Sequence, residues 1–176
     1  MPSYVIHLAT ANEYLRKHKN EITNLNDFFL GAVSPDFTTK EKKGETHFGE
    51  SSSVLYLRQY LEKKDLNTDF NKGYFLHLVT DYIFYNKLLE CTSKDIYTDY
   101  DILNKYLIEK YNVTLVEEVK DKVFFLSGET KILHKDLAEL IINLASDMSL
   151  EDIKNEILST YYTEKWDKIR RLKKLD

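Results

Sequence analysis

Y-F-L-H-L-V-T-D-Y-I-F-Y-N-K-L-L, running from Tyr74 to Leu89, is apolar on nearly every side and too long for an ordinary strand, so it reads as a buried helix. Two groups interrupt the apolar surface, His77 and Asp81. Their spacing of four residues sets imidazole and carboxylate one above the other on a single helical face. A carboxylate taken out of water is costly unless something compensates it, so the pair calls either for a closed His–Asp hydrogen bond or for further ligands and a metal.

Composition places that helix in an all-α setting. The 176 residues fit one domain, 1–176, large enough to bury a core without disulfide staples. Hydrophobic residues make up 43% and charged residues 31%, with 5 Gly and 2 Pro, which suits a helical globule better than a turn-rich sandwich or a disordered chain. The expectation is a bundle of about eight helices around the central one. Thirteen Tyr and nine Phe predict a core thick with aromatic rings whose hydroxyls must find partners.

Cys91 has no second cysteine to pair with, the start M-P-S-Y-V-I-H lacks the pattern of a signal peptide, and no run reaches 18 uncharged apolar residues. A cytoplasmic protein without a transmembrane segment is expected. A formal charge of −4 gives no global electrostatic reason to bind nucleic acid.

Upstream of the central helix, an amphipathic segment runs from Tyr4 to about Lys19 with His7 near its first turn. Asn24 or Asn26 caps a second helix that ends at Val33, stopped by Pro35. Ser34 to Ser53 then reads as one long polar loop. Asp36 opens it and His47 stands near its end, each followed by a Phe able to dock on the core, with K-E-K-K as a solvated tip. Ser51 to Ser53 are placed to cap a helix carrying Leu57, Tyr60 and Leu61.

Beyond Leu89, helices are expected over Asp101 to Tyr111, over Leu115 to Leu126 behind a Thr114/Glu117 capping box, and along the stripe Leu133, Leu137, Leu140, Ile141 and Leu144. A last helix starts at Ser149 and continues past Trp166 into the basic, amphipathic K-W-D-K-I-R-R-L-K-K-L-D. Asp99 and Asp101 are acidic candidates that can equally be first-turn charges favoured by the helix dipole. His18 and His134 sit in polar surroundings and read as surface residues.

His7, Asp36, His47, His77 and Asp81 together are a metal-ligand inventory. Imidazole and carboxylate without thiolate suit zinc, manganese or iron. Spacing constrains only His77 and Asp81.

The order H-L-A-T-A (from His7), G-A-V-S-P-D-F (from Gly31), T-H-F-G (from Thr46) and H-L-V-T-D (from His77) resembles the zinc-dependent phospholipase C family, whose all-helical fold is shared with single-strand-specific zinc nucleases. The likeness covers about the first half of the chain. It implies that Asp36, His47, His77 and Asp81 hold one zinc, and that His7 and Asp81 serve a second. The chain departs from that family in beginning Met1-Pro2 rather than with Trp, and in lacking the later His, His and Glu ligands, since only His134 follows Asp81. The resemblance thus implies one or two ions per chain.

The implied chemistry is hydrolysis of a phosphoester, mono- or diester, small or lipid-derived, through a metal-activated water, with Asp36 as ligand and proton acceptor. A helical HD-type phosphohydrolase would need adjacent His and Asp, and no H-D dipeptide occurs. The alternative to a hydrolase is a helical protein whose metal, or whose His77–Asp81 pair, is purely structural.

Overall fold

The computed structural model describes residues 2–175. Nine α-helical segments occur among them: α1 (Tyr4–Lys17), α2 (Leu25–Val33), α3 (Lys43–Thr46), α4 (Leu57–Lys63), α5 (Asp69–Ile83), α6 (Asp95–Tyr111), α7 (Lys135–Asp147), α8 (Leu150–Leu158) and α9 (Glu164–Asp167). The class is all-α. Two-residue strands, β1 (Cys91–Thr92) and β2 (Lys173–Lys174), pair in parallel. No helix of the described residues is long and apolar enough to cross a membrane.

Small polar side chains start the helices where sequence chemistry asks for them. Ser3 accepts from the Ile6 amide, Asn24 from Asp27, Thr68 from Asn71 and Ser149 from Asp152, each satisfying an amide that the helix itself leaves unpaired. The central helix α5 is buried from Phe75 to Ile83 and continues into a π turn over Phe84–Leu88. There the Leu89 amide donates to the Phe84 carbonyl, and the Arg170 guanidinium covers the Tyr85 and Leu89 carbonyls.

Two glycines set how closely α2 and α5 approach. A Cβ on Gly31 would lie 2.1 Å from the Phe70 carbonyl oxygen, and one on Gly73 would lie 2.0 Å from that of Phe28. The helices interlock backbone against backbone. That approach fixes the distance between the end of α2, which leads to Asp36, and the His77 face of α5.

One apolar cluster surrounds the body of α5 with Phe28, Leu57, Tyr60, Ile153 and Trp166. A second joins Val5, Ile6 and Ala9 of α1 to Phe84, Leu103, Ile141 and Ile142. Burial of rings and aliphatic side chains on this scale is the main driving force of the fold.

Several segments differ from the sequence reading. The 34–53 stretch is not a bare loop: it contains 3-10 turns at Ser34–Asp36 and Lys40–Lys42 and then α3. Ser51 bonds to the Val54 amide in a local turn rather than capping α4, which begins three residues later at Leu57. The Leu115–Leu126 helix is only a 3-10 stretch, Glu117–Lys122, with one buried residue, Val119; a weakly amphipathic segment does not recover the cost of helix nucleation. α7 buries Ala138, Ile141, Ile142 and Ala145 and leaves Leu140 and Leu144 exposed; Ala138, Ile141 and Ile142 pack in one cluster with Val5, Ile6 and Ala9 of α1.

The terminal helix divides. α8 ends at Leu158, Tyr161 is 95% exposed, and the basic segment is extended and pairs through β2 with β1. Its cations have specific partners rather than water alone, Arg170 on the α5 terminus and Arg171 on Glu50. Asp99 is a structural acceptor for the amides of Lys131, Ile132 and Leu133. His18 is half-buried, bonded to the Ser146 carbonyl, while His134 is exposed at the start of α7.

Gly73→Ala is expected to destabilise the protein by about 3 kcal/mol in urea or thermal denaturation, because the added methyl meets a carbonyl oxygen that belongs to a packed helix. Leu144→Ala on the exposed face of α7 should cost less than about 1 kcal/mol. Equal losses for the two would mean that α2 and α5 do not interlock.

Candidate metal centre

All five proposed ligands converge, from four separate parts of the chain. His7 comes from the first turns of α1. Asp36 ends the 3-10 turn that begins at Ser34 after α2, His47 follows α3, and His77 and Asp81 share one face of α5. Every one of these side chains has zero exposure to solvent.

The imidazoles are oriented by the backbone. His77 Nδ1 lies 2.7 Å from the Ala32 carbonyl oxygen and His47 Nδ1 lies 2.9 Å from that of Lys43. A carbonyl only accepts, so each Nδ1 carries the proton and each Nε2 is left facing the cluster. These two Nε2 atoms are 3.3 Å apart. Asp81 Oδ2 is 3.1 Å from His47 Nε2 and 3.5 Å from His77 Nε2, and Asp36 Oδ1 is 3.4 Å and 3.8 Å from the same atoms.

His7 completes the set, its ring stacked on His77 at 3.6 Å between centroids and its Nε2 3.2 Å from Asp81 Oδ1. Close as they are, His7 and Asp81 do not align as a hydrogen bond. Both nitrogens of His7, both carboxylate oxygens of Asp81 and Oδ2 of Asp36 are buried without a hydrogen-bond partner among the described residues. Orphaned polar atoms of this kind are costly, and their convergence on shared points is what a cation would satisfy. Two overlapping groups can hold an ion, His7–His77–Asp81 and Asp36–His47–His77, each with its ligand atoms within 4.8 Å of one another.

The electrostatics of the cluster follow from burial and from mutual contact. Burial works to raise both carboxylates, but His77 and His47 outweigh it, bringing Asp36 down to about 2 and Asp81 well below the usual range. His7 is pushed down to about 4 by burial and by its neighbour His77. His47 goes the other way: burial lowers it, yet the Asp36 and Asp81 carboxylates lift it on balance to about 9. The chain without metal therefore keeps both carboxylates ionised and a proton on His47.

One participant was not legible in the sequence. Within K-E-K-K, Lys40, Glu41 and Lys42 are exposed as expected, but the Lys43 ammonium lies 2.5 Å from Asp36 Oδ1 and its carbonyl orients His47. No sequence signal sets it apart from Lys40 and Lys42, which lie between the same two ligands. The two phenylalanines also divide: Phe48 docks edge-on against Tyr60 and Tyr74, whereas Phe37 is 36% exposed and covered on one side by Tyr4 and Lys122. Phe48 has φ +55, an unfavourable conformation for a bulky residue, costing about 1–3 kcal/mol. That turn, together with the Tyr74 hydroxyl on the Thr46 carbonyl, holds His47 against α5.

Compared with known proteins, the chain matches no family model, no curated protein and no solved structure.

Two histidines give the metal-free protein opposite pH slopes. His47 is raised from 6.5 to about 9, so the stability it contributes is complete below 6.5 and is lost as pH rises through 9. His7 is lowered from 6.5 to about 4, so stability falls as pH drops across that interval. Metal-free protein should melt highest near pH 6.5, and metal uptake at pH 7 should release about one proton, from His47. Calorimetry in buffers of different ionisation enthalpy reads that proton; uptake without release would contradict a protonated His47.

Proposed function

We propose that the buried cluster is a divalent-metal centre, with zinc as the best match to its nitrogen and oxygen donors, and that the protein is a metal-dependent phosphoester hydrolase. The observation that carries the metal is the pair of imidazoles whose Nδ1 atoms are fixed by the Ala32 and Lys43 carbonyls while their Nε2 atoms converge on the Asp36 and Asp81 carboxylates. Carbonyl-oriented imidazole is the arrangement in which metal-binding histidines are held. Asp36, His47, His77 and Asp81 would hold one ion, and His7 with Asp81 a second. The absence of thiolate leaves manganese and iron as alternatives to zinc.

The hydrolase reading is supported by the motif order that resembles zinc-dependent phospholipases C, and by the position of Asp36. When bound, a divalent cation lowers the pKa of a coordinated water and offsets charge that builds on phosphoryl oxygens. Asp36 stays ionised at neutral pH, and its Oδ2 is without a hydrogen-bond partner, which leaves that atom to accept a proton. Lys43 holds the other oxygen of the same carboxylate. Its side chain is 13% exposed where the ligands are sealed, so it stands at the rim, where an anionic phosphoryl group would arrive.

A second reading, a purely structural metal, is favoured by the complete closure of the five ligands to solvent. The two readings separate by substitution. Purified protein is expected to carry one or two first-row divalent ions per chain by elemental analysis. His77→Ala should lose metal and several kcal/mol of stability, on the scale of a broken buried pair, and His134→Ala should stay within about 0.5 kcal/mol of the parent. Asp36→Asn is expected to abolish metal-dependent phosphoester hydrolysis by much more than it lowers the melting temperature. If the metallated parent turns over no phosphomonoester or phosphodiester in a broad screen, the metal is structural.

A further inference from the structure

The five ligands are closed to solvent, yet an ion, and any phosphoester that meets it, has to reach them. The wall around them is uneven. On the inside, His77 is held by the Ala32 carbonyl, which belongs to the buried end of α2. On the outside, the Lys43 ammonium lies 2.5 Å from Asp36 Oδ1, and the Lys43 carbonyl and Thr46 hydroxyl oxygens lie 2.9 Å and 3.0 Å from His47 Nδ1. Lys43 and Thr46 are both half-buried, so here a single layer of residues separates the ligands from solvent.

The elements that carry the ligands also differ in how firmly they are held. Around His7 every residue from Val5 to Ala11 is buried, and around His77 and Asp81 every residue from Phe75 to Ile83. The Gly31 and Gly73 contacts lock α2 to α5. Between Asp36 and His47, by contrast, no residue from Phe37 to Thr46 is buried. Its hydrogen bonds are short-range: the Lys42 amide donates to the Thr39 carbonyl and the His47 amide to that of Lys43. Segments with so little buried surface open at far lower cost than the packed core.

We propose that residues 37–46 are a lid over the metal centre, and that the Tyr74 hydroxyl and the Lys43 ammonium are its two latches. The proposal rests on the metal reading of the cluster and names its entrance; it does not depend on whether the site hydrolyses anything. Tyr74 donates from α5 to the Thr46 carbonyl at 2.5 Å, while its ring packs against Tyr60 and Phe48 and so belongs to the fixed side. Lys43 ties the lid to the carboxylate of Asp36. Release of these two bonds frees α3 to lift from Asp36 with little apolar contact to lose, since Phe37, beside Tyr4 and Lys122, is already 36% exposed. Closure then shuts water out around whatever has entered, as lids do over reacting groups.

Stopped-flow zinc uptake by the metal-free protein, and zinc release to a chelator, test the lid. Tyr74→Phe removes one latch and keeps the packed ring. The latch closes the lid with or without an ion beneath it, so its loss should raise the rates of uptake and release together. Each should rise about 3- to 10-fold, the worth of one hydrogen bond, with Kd unchanged within about twofold. Tyr82→Phe is the control: its hydroxyl, on the same helix, donates to the Lys168 carbonyl at 2.8 Å in the C-terminal segment, and its loss should leave both rates at parent values. Hydrogen exchange of the metal-free protein needs no ion: the Lys42 and His47 amides should exchange faster in Tyr74→Phe than in the parent or in Tyr82→Phe. The proposal is overturned if Tyr74→Phe leaves both rates unchanged, if it weakens zinc binding without speeding uptake, or if Tyr82→Phe speeds uptake equally. Should the protein take up no zinc, the metal reading falls and those two amides decide whether 37–46 opens, equal exchange in all three proteins being the result against it. Gated zinc exchange without turnover of any phosphoester would keep the lid and remove the hydrolase.

Discussion

Two carboxylates share the interior of this protein, and everything around them answers that fact. Asp36 and Asp81 are both ionised and both sealed from water, which no small domain sustains without matching positive charge close by. Three imidazoles and one ammonium are brought to them from α1, the 34–48 segment and α5. The α2–α5 glycine contacts, the strained Phe48 and the Tyr74 hydroxyl bond all act to keep those groups within a few ångströms of one another. Strain and orphaned polar atoms concentrate at functional sites, and five of the orphaned atoms among the described residues belong to this one cluster.

How much of this was legible in the sequence follows from which signals are local. The central helix, its His77/Asp81 face and the caps at Asn24 and Ser149 depend on residues within one or two turns, and the structure has all of them. His7, Asp36 and His47 share no spacing with α5; only the order of short motifs suggested them, and the structure brings them to the same point. Failures came where tertiary contacts override pattern. Thr114 and Glu117 look like a capping box, but the segment behind them has little to bury and stays in a 3-10 turn. The terminal basic run has the pattern of an amphipathic helix, yet its arginines find carbonyls and a glutamate far off in the chain, and the segment is extended where they do so.

The tail also explains the end of α5. A buried helix must hand its last carbonyls to some donor, and here it does so through a π turn and the guanidinium of Arg170 rather than a glycine cap. Sequence closest to the terminus thus finishes the element at the centre.

Lys43 shows how such a centre can exist before any ion reaches it. Its ammonium and the proton on His47 place two positive charges against the two aspartates, the same charge that a single divalent cation would bring. With those charges in place, folding would not have to wait for an ion. A divalent ion would then enter by exchange with the proton on His47. Selectivity among cations would then have a threshold, because only an ion that binds more strongly than these resident charges could take the site.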